Sequence, residues 1–272
     1  MTNNPNSYIS SNRIEDESRR LSLMGNLANN ALYPVLLELK KTINQAAKIL
    51  DVGCGTGESF QVLNKVFPDS EIIGVDLSQR ALDIAEQSGI ATKLLLGNAL
   101  ELNSIAELKN FSPFDITYIR NTLIHIPDIN TVLSEIKKVT KVGGVVIAQE
   151  ADWEPAEGTF PDFIIFKESL IQMMKTNNIN PYVGQLLKNT FSIVGYFNIE
   201  QIRSHTIVNS NDNEWDILEL LVEVASDRLL PYLKNNNINS LDELKQRLKN
   251  ARNNPLNQFR NPDWVIVSGK VK

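Results

Sequence analysis

Ile49-Leu50-Asp51-Val52-Gly53-Cys54-Gly55-Thr56-Gly57 is the stretch whose reading decides the fold. Its first half, ILDV, has the make-up of a buried strand. Its second half, GCGTG, is a glycine-rich turn, and behind it Phe60, Leu63 and Phe67 recur at i, i+3 and i+7, the period of a helix face. Strand, glycine turn and helix open a nucleotide-binding α/β unit. Glycines let backbone N–H groups approach a ligand with no Cβ in the way, and the helix start offers unpaired donors and the positive end of a dipole. The spacing is G-x-G-x-G, which differs from the G-x-G-x-x-G of dinucleotide binders.

Working outward, strands are expected at 47–52, 71–75, 93–97, 114–119, 144–150, 199–208 and 263–271. Helical segments at 58–67, 78–88, 103–109 and 130–140 separate the first five strands. That alternation predicts right-handed crossovers and a mainly parallel sheet. Upstream, helices are expected at 13–26 and 33–41. Downstream, 153–190 and 209–260 read as insertions, the first carrying Trp153, Phe160, Phe163 and Phe166 among Pro155, Gly158 and Pro161. Insertions beside the carboxyl ends of strands can roof the crevice of an open α/β sheet. The expected organisation is one domain over 1–272: N-terminal lid helices to 45, a core over 46–152, the two cap insertions, and a last strand within 261–272.

The chain has 272 residues, 42% of them hydrophobic and 22% charged, enough for a sizeable core. A net charge of -5 argues against a nucleic-acid coat or an anionic-membrane binder. No apolar run reaches the roughly 18 residues of a membrane span, and the N-terminus lacks a basic-then-apolar signal pattern. One cysteine rules out an internal disulfide and a Cys-rich metal site. A cytoplasmic protein is expected, with no nucleic-acid or membrane partner and no metal.

Five further residues carry chemistry. Asp76 ends the second strand, where a carboxylate can accept hydrogen bonds from ribose hydroxyls or serve the start of the next helix. Asn98 follows the third strand and offers an amide oxygen. The fourth strand, FDITYI, runs into Arg120-Asn121-Thr122-Leu123-Ile124-His125-Ile126-Pro127-Asp128, and His125 has the unperturbed pKa of a general base or can simply pack its turn. Glu150 and Asp152 lie two apart on the fifth strand, on one face, where they can line a pocket or take a proton.

The glycine turn with Asp51, the acidic Asp76, the Gly97-Asn98-Ala99 step, "FD-apolar-apolar" followed by His125-x-Pro127-Asp128, and Gly143-Gly144 before the fifth strand together resemble the class I S-adenosylmethionine (SAM)-dependent methyltransferases. The resemblance covers residues 47 to about 152 and extends more weakly to the last strand. It implies a Rossmann-like, seven-stranded, mostly parallel sheet with helical cap insertions. SAM would be the cofactor and S-adenosylhomocysteine (SAH) its product. Asp51, Gly53, Gly55, Gly57, Asp76, Leu77, Asn98, Ala99 and Arg120 would hold SAM. Asn98 stands where the family often has an aspartate at the adenine amino group. Tyr8 and the segment Glu17–Leu21 resemble the lid of small-molecule methyltransferases, including quinone and secondary-metabolite enzymes, where a tyrosine can close over SAM. The implied reaction is in-line methyl transfer to an O, N or C nucleophile of a small molecule, with His125 and Glu150 as candidate catalytic residues, and the hydrophobic, aromatic cap favours an apolar or aromatic acceptor. An RNA or protein methyltransferase, a nicotinamide dehydrogenase and a non-catalytic SAM-fold binding protein are the rival readings.

Overall fold

The computed structural model describes residues 14–43, 46–210, 212 and 215–272. The chain enters through helix α1 (Ile14–Lys40) and then alternates: β1 (Lys48–Val52), α2 (Phe60–Val66), β2 (Glu71–Asp76), α3 (Gln79–Glu86), β3 (Lys93–Leu96), β4 (Phe114–Arg120), α4 (Ile129–Val139) and β5 (Thr140–Asp152). There follow β6 (Glu157–Gly158), α5 (Pro161–Thr176), α6 (Val183–Val194), β7 (Phe197–Ser204), β8 (Ile207–Asn209), α7 (Trp215–Leu233), α8 (Leu241–Arg252), β9 (Gln258–Arg260) and β10 (Asp263–Lys270).

Seven strands form one sheet in the order β3-β2-β1-β4-β5-β10-β7. The first five pair in parallel, and β10 runs antiparallel between β5 and β7. This is the Rossmann-like sheet expected from the sequence. The central strands are buried on both faces, which is why β1 reads as an unbroken apolar run. Lys48 opens it at the half-buried end, and Asp51 is its one buried charge. The strand order reverses between β1 and β4, and at that switch point the loops after the two strands diverge and open a crevice. Ser78 starts α3 by accepting from Ala81 N–H, and Asp128 starts α4 by accepting from Thr131 N–H.

Several elements differ from expectation. The two N-terminal helices are one, running through Pro34. Ala28, Leu32 and Leu36, at i, i+4 and i+8, are fully buried, so packing carries the helix across the Asn29-Asn30 pair where a break was expected. The 103–109 helix is replaced by two 3-10 turns, Ala99–Ser104 and Glu107–Asn110, because the backbone is extended at Ile105. The long 199–208 strand divides after Ser204: β7 edges the main sheet, while β8 joins β9 and β6 in a separate three-stranded sheet.

Helices α5, α7 and α8 pack on one another, and α1 packs on α7. Helix α6 packs instead against α4, β5, β7 and β10, so the 153–190 stretch serves two environments. Phe160 stacks on Trp215 at 5.4 Å, Phe259 meets Trp215 edge-on at 5.1 Å, and Phe163 stacks on Phe259 at 4.9 Å. These rings are buried in one another and form the insertions' own core rather than an open aromatic wall. Among the described residues no helix is long and apolar enough to cross a membrane.

Trp215 is fully buried, and its Nε1–H has no hydrogen-bond partner. Trp215→Ala should therefore lower stability in urea unfolding by about 3–5 kcal/mol. Trp215→Phe, which keeps an aromatic ring and removes the unpaired donor, should cost clearly less. Equal losses for the two would show that ring stacking contributes little.

Candidate cofactor site

The glycine turn sits at the switch point with Gly53, Gly55 and Gly57 all at positive φ (+68, +53 and +82°). Its backbone is tied to the end of β2: Gly53 N–H and Cys54 N–H donate to Val75 O at 2.7 and 3.1 Å. Gly55 N–H donates to one carboxylate oxygen of Asp76 at 2.8 Å, and Ser78 N–H donates to the other at 2.8 Å. Asp76 thus serves both the turn and the start of α3. A Cβ on Gly53 would lie 2.1 Å from Thr122 Oγ1, so the turn lies flush against the loop after β4. A Cβ on Gly55 would meet nothing within 4 Å, so this glycine faces open space.

Asp51 lies beneath the turn, 1% exposed, and accepts a short hydrogen bond from Ser59 Oγ. Burial pushes its pKa up to about 7, although the Ser59 bond and the Arg120 charge pull the other way. Cys54 is buried in the turn as a packing residue, its thiol pushed up chiefly by burial. The guanidinium of Arg120 donates to Asn29 Oδ1 on α1 at 2.7 Å and lies over the Tyr118 ring, 6.0 Å from its centroid. Next to it, Asn121 adopts positive φ (+47°), and its buried Oδ1 has no hydrogen-bond partner.

On the far side of β2, Leu77 is 50% exposed, and Leu96, in register with Asp76, is 56% exposed. Asn98 uses its side-chain oxygen to accept from Leu100 N–H at 3.0 Å, so that oxygen caps a 3-10 turn. Ala99 is buried. Tyr8 lies outside the described residues.

Glu150, a candidate catalytic residue from the sequence, lies beneath the loop after β4. It is fully buried, and its Oε1 accepts from Thr122 N–H and Leu123 N–H, each at 2.9 Å; Oε2 lies 3.4 Å from Ile124 N. Those contacts make it the brace of the loop after β4. Burial outweighs the backbone donors and raises its pKa to about 8. One well-bonded oxygen and one with a longer contact suit a neutral carboxyl at pH 7. Asp152, also fully buried, pairs with Arg203 at 2.9 Å and accepts from Gln185 and from Glu154 N–H, each at 3.1 Å, so it ties β5 to β7 and α6. His125 lies at the surface on the same loop. Crowding by protein atoms and the nearby Arg20 charge push its pKa down to about 4, so the imidazole is neutral at physiological pH. Among the described residues no three His, Cys, Asp or Glu side chains come together as a metal site.

Sequence reasoning placed the backbone around Asn121 at the site but missed its side chain, and it missed Asn29, Thr122 and Leu96. An unpaired apolar residue at a strand end signals Leu96. Nothing in the local pattern signals Asn29, which reaches the crevice only because the whole of α1 docks there.

A carboxyl whose pKa rises from 4.5 to about 8 on folding stabilises fully below pH 4.5 and loses that contribution as pH climbs to 8. Glu150→Gln keeps an oxygen for the two N–H groups and cannot ionise. The stability of this variant relative to wild type should rise between pH 5 and pH 8, by up to roughly 1.4 kcal/mol per pH unit in urea titrations. A difference that stays flat across that range would mean Glu150 is ionised in the fold.

A family model described as a methyltransferase domain matches residues 43–234, most of the chain. An uncharacterized methyltransferase of Schizosaccharomyces pombe is 33% identical over 159 residues, 54% of this chain and 56% of the relative. The demethylmenaquinone methyltransferase of Bacillus subtilis is 32% identical over 155 residues, 55% of this chain and 60% of the relative. The matched region therefore spans little more than half the length of these curated relatives. Among solved structures, the plantazolicin methyltransferase BamL, in complex with a triazolic desmethylPZN analog and SAH, superposes with a TM-score of 0.57 at 15% identity, over 98% of this chain and 94% of that one. The YcgJ protein of Bacillus subtilis gives 0.56 at 18% identity, over 87% of this chain and 98% of that one. These two share the fold. With the family model matched across the glycine turn, Asp76 and the loop after β4, the chain belongs to the methyltransferase-domain family.

Proposed function

We propose that the chain binds SAM at the crevice between the β1 and β4 loops and catalyses methyl transfer to a small-molecule acceptor. The observation that carries this reading is the junction of Asp76 with the glycine turn. A carboxylate held by Gly55 N–H and Ser78 N–H retains lone pairs for ribose hydroxyls, and it lies beside the one glycine of the turn that faces open space. The buried, unpartnered Oδ1 of Asn121 is a second fit, since such an acceptor is costly unless a ligand donor reaches it.

SAM brings a methyl group already activated by its sulfonium. The protein's part is then mainly alignment, which favours a rigid site. Asp51, Gly53, Gly55 and Gly57 would shape the floor, Asp76 would hold the ribose, and Leu77, Asn98 and Ala99 would border the adenine. Asn98 would contribute through its NH2 group or the free lone pair of its oxygen, the other being spent on Leu100. Arg120 and Asn121 would flank the methionine end, with Tyr8 as lid. Where the acceptor must lose a proton, His125 is the candidate by its place at the surface of this loop, and its lowered pKa makes it a weaker base than a free imidazole.

An apolar or aromatic acceptor is the class we favour, and the names of the demethylmenaquinone methyltransferases support it. The insertions' aromatic rings do not, because they bury one another. A net charge of -5 favours a small molecule over RNA.

Calorimetry tests the reading. Wild type should bind SAH with micromolar affinity, and Asp76→Ala should lose at least about 1–3 kcal/mol. Failure of wild type to bind SAM or SAH, with NAD(H) binding in their place, would return the dehydrogenase reading. No binding of either would leave a degenerate fold.

A further inference from the structure

We propose that Asn29, on the N-terminal helix, is a positioning residue that clamps the two lips of the cofactor crevice together; this rests on the SAM reading above. Its side chain works in both directions. Nδ2 donates to Glu58 O at 2.9 Å, at the end of the glycine turn, and Oδ1 accepts from Arg120 Nη1 at 2.7 Å, at the end of β4. Those two points stand on opposite sides of the β1–β4 switch point.

Three observations set this contact apart from ordinary packing. Asparagine is a poor helix former, yet it sits in the interior of a 27-residue helix at the turn that meets the site. One residue earlier, Ala28 O accepts from Gln149 Nε2 at 2.8 Å, and Gln149 Oε1 accepts from Tyr118 OH at 2.5 Å, so a polar seam continues into the sheet under the crevice. One turn earlier, Gly25 lets the helix come close: a Cβ there would lie 2.9 Å from Glu58 Cβ. Apolar contact alone tolerates sliding. A side chain with one donor and one acceptor spent on two different loops holds the helix in one register and fixes both loops relative to each other. Arg120 and the glycine turn then meet SAM already in place.

The test is SAH calorimetry on Asn29→Ala, alone and with Arg120→Met, together with thermal melts and amide hydrogen exchange of the ligand-free proteins. Asn29→Ala should weaken SAH binding at least tenfold while the melting temperature stays within a few degrees, since alanine improves helix propensity. In the Arg120→Met background the same change should cost less than threefold, because its partner is already gone. Without ligand, exchange should speed up at Ser59, Phe60, Thr122 and Leu123. A Kd within twofold of wild type, or a loss that adds fully to that of Arg120→Met, overturns the proposal; so does a loss of affinity that merely follows a fall in stability. If wild type binds no SAH, the cofactor reading fails. The exchange data then decide the clamp alone: faster exchange at those amides upholds it as a mechanical brace, and unchanged exchange overturns it.

Discussion

The site depends on how the Asp76 carboxylate is shared. A parallel strand ends in unpaired backbone groups, and here two of the nearby N–H groups, from Gly55 and Ser78, converge on one side chain. One oxygen fixes the glycine turn after β1, and the other fixes the entry to α3. The turn cannot be built any other way with L residues in the same place: a Cβ on Gly53 would run into Thr122, so the close approach of the β1 and β4 loops is a consequence of glycine there. The walls of the crevice inherit their spacing from these contacts.

Beneath the crevice lie Asp51 and Glu150, both nearly or wholly inaccessible to solvent and both raised in pKa by burial. Their cost is compensated by geometry. Ser59 answers Asp51, while Thr122 and Leu123 N–H answer Glu150. Burying a carboxyl group is expensive unless it is bonded, and a bonded, buried one is a rigid connector between backbone segments that would otherwise diverge. The two acids therefore act on the site through the shape of its loops.

Much of the fold was legible from the sequence, because a doubly covered parallel sheet writes itself as apolar runs at regular spacing with turn residues between. All seven strands of the main sheet were expected close to where they lie, and the positions of Gly53, Gly55, Gly57 and Asp76 at adjoining strand ends followed from that order. Chemistry was harder to read than placement. Glu150 and Asp152 share a face of β5, as two-residue spacing requires, yet strand periodicity says nothing about which groups meet that face. Backbone N–H groups meet Glu150, and Arg203 and Gln185 meet Asp152. The 199–208 strand divides between two sheets because β8 pairs with β9, a partner about fifty residues away in sequence. The aromatic residues of the first insertion give the cap an apolar character in sequence, but Trp215 and Phe259, from distant segments, fill the space against them.

The least legible element is α1. Local propensity argues for a break at Asn29-Asn30 and Pro34, and the helix is continuous because tertiary contacts outweigh that preference. Its buried face is mixed by design of the partners it meets: Leu32 and Leu36 settle against the apolar layer of β1 and α2, while Ala28 O and Asn29 meet Gln149, Arg120 and Glu58 O. The apolar half of that face supplies affinity without direction, since burial scales with area and is indifferent to small rotations. The polar half supplies direction with little net energy, since each bond replaces one to water. A helix held by the first alone could rotate or slide by a residue at small cost. Adding the second makes every such displacement leave Asn29, Gln149 or the Arg120 guanidinium without its partner in a poorly solvated place. Docking of α1 and the alignment of the crevice are thus one structural state, and the residues that bring this about lie far from the glycine motif by which the family is read.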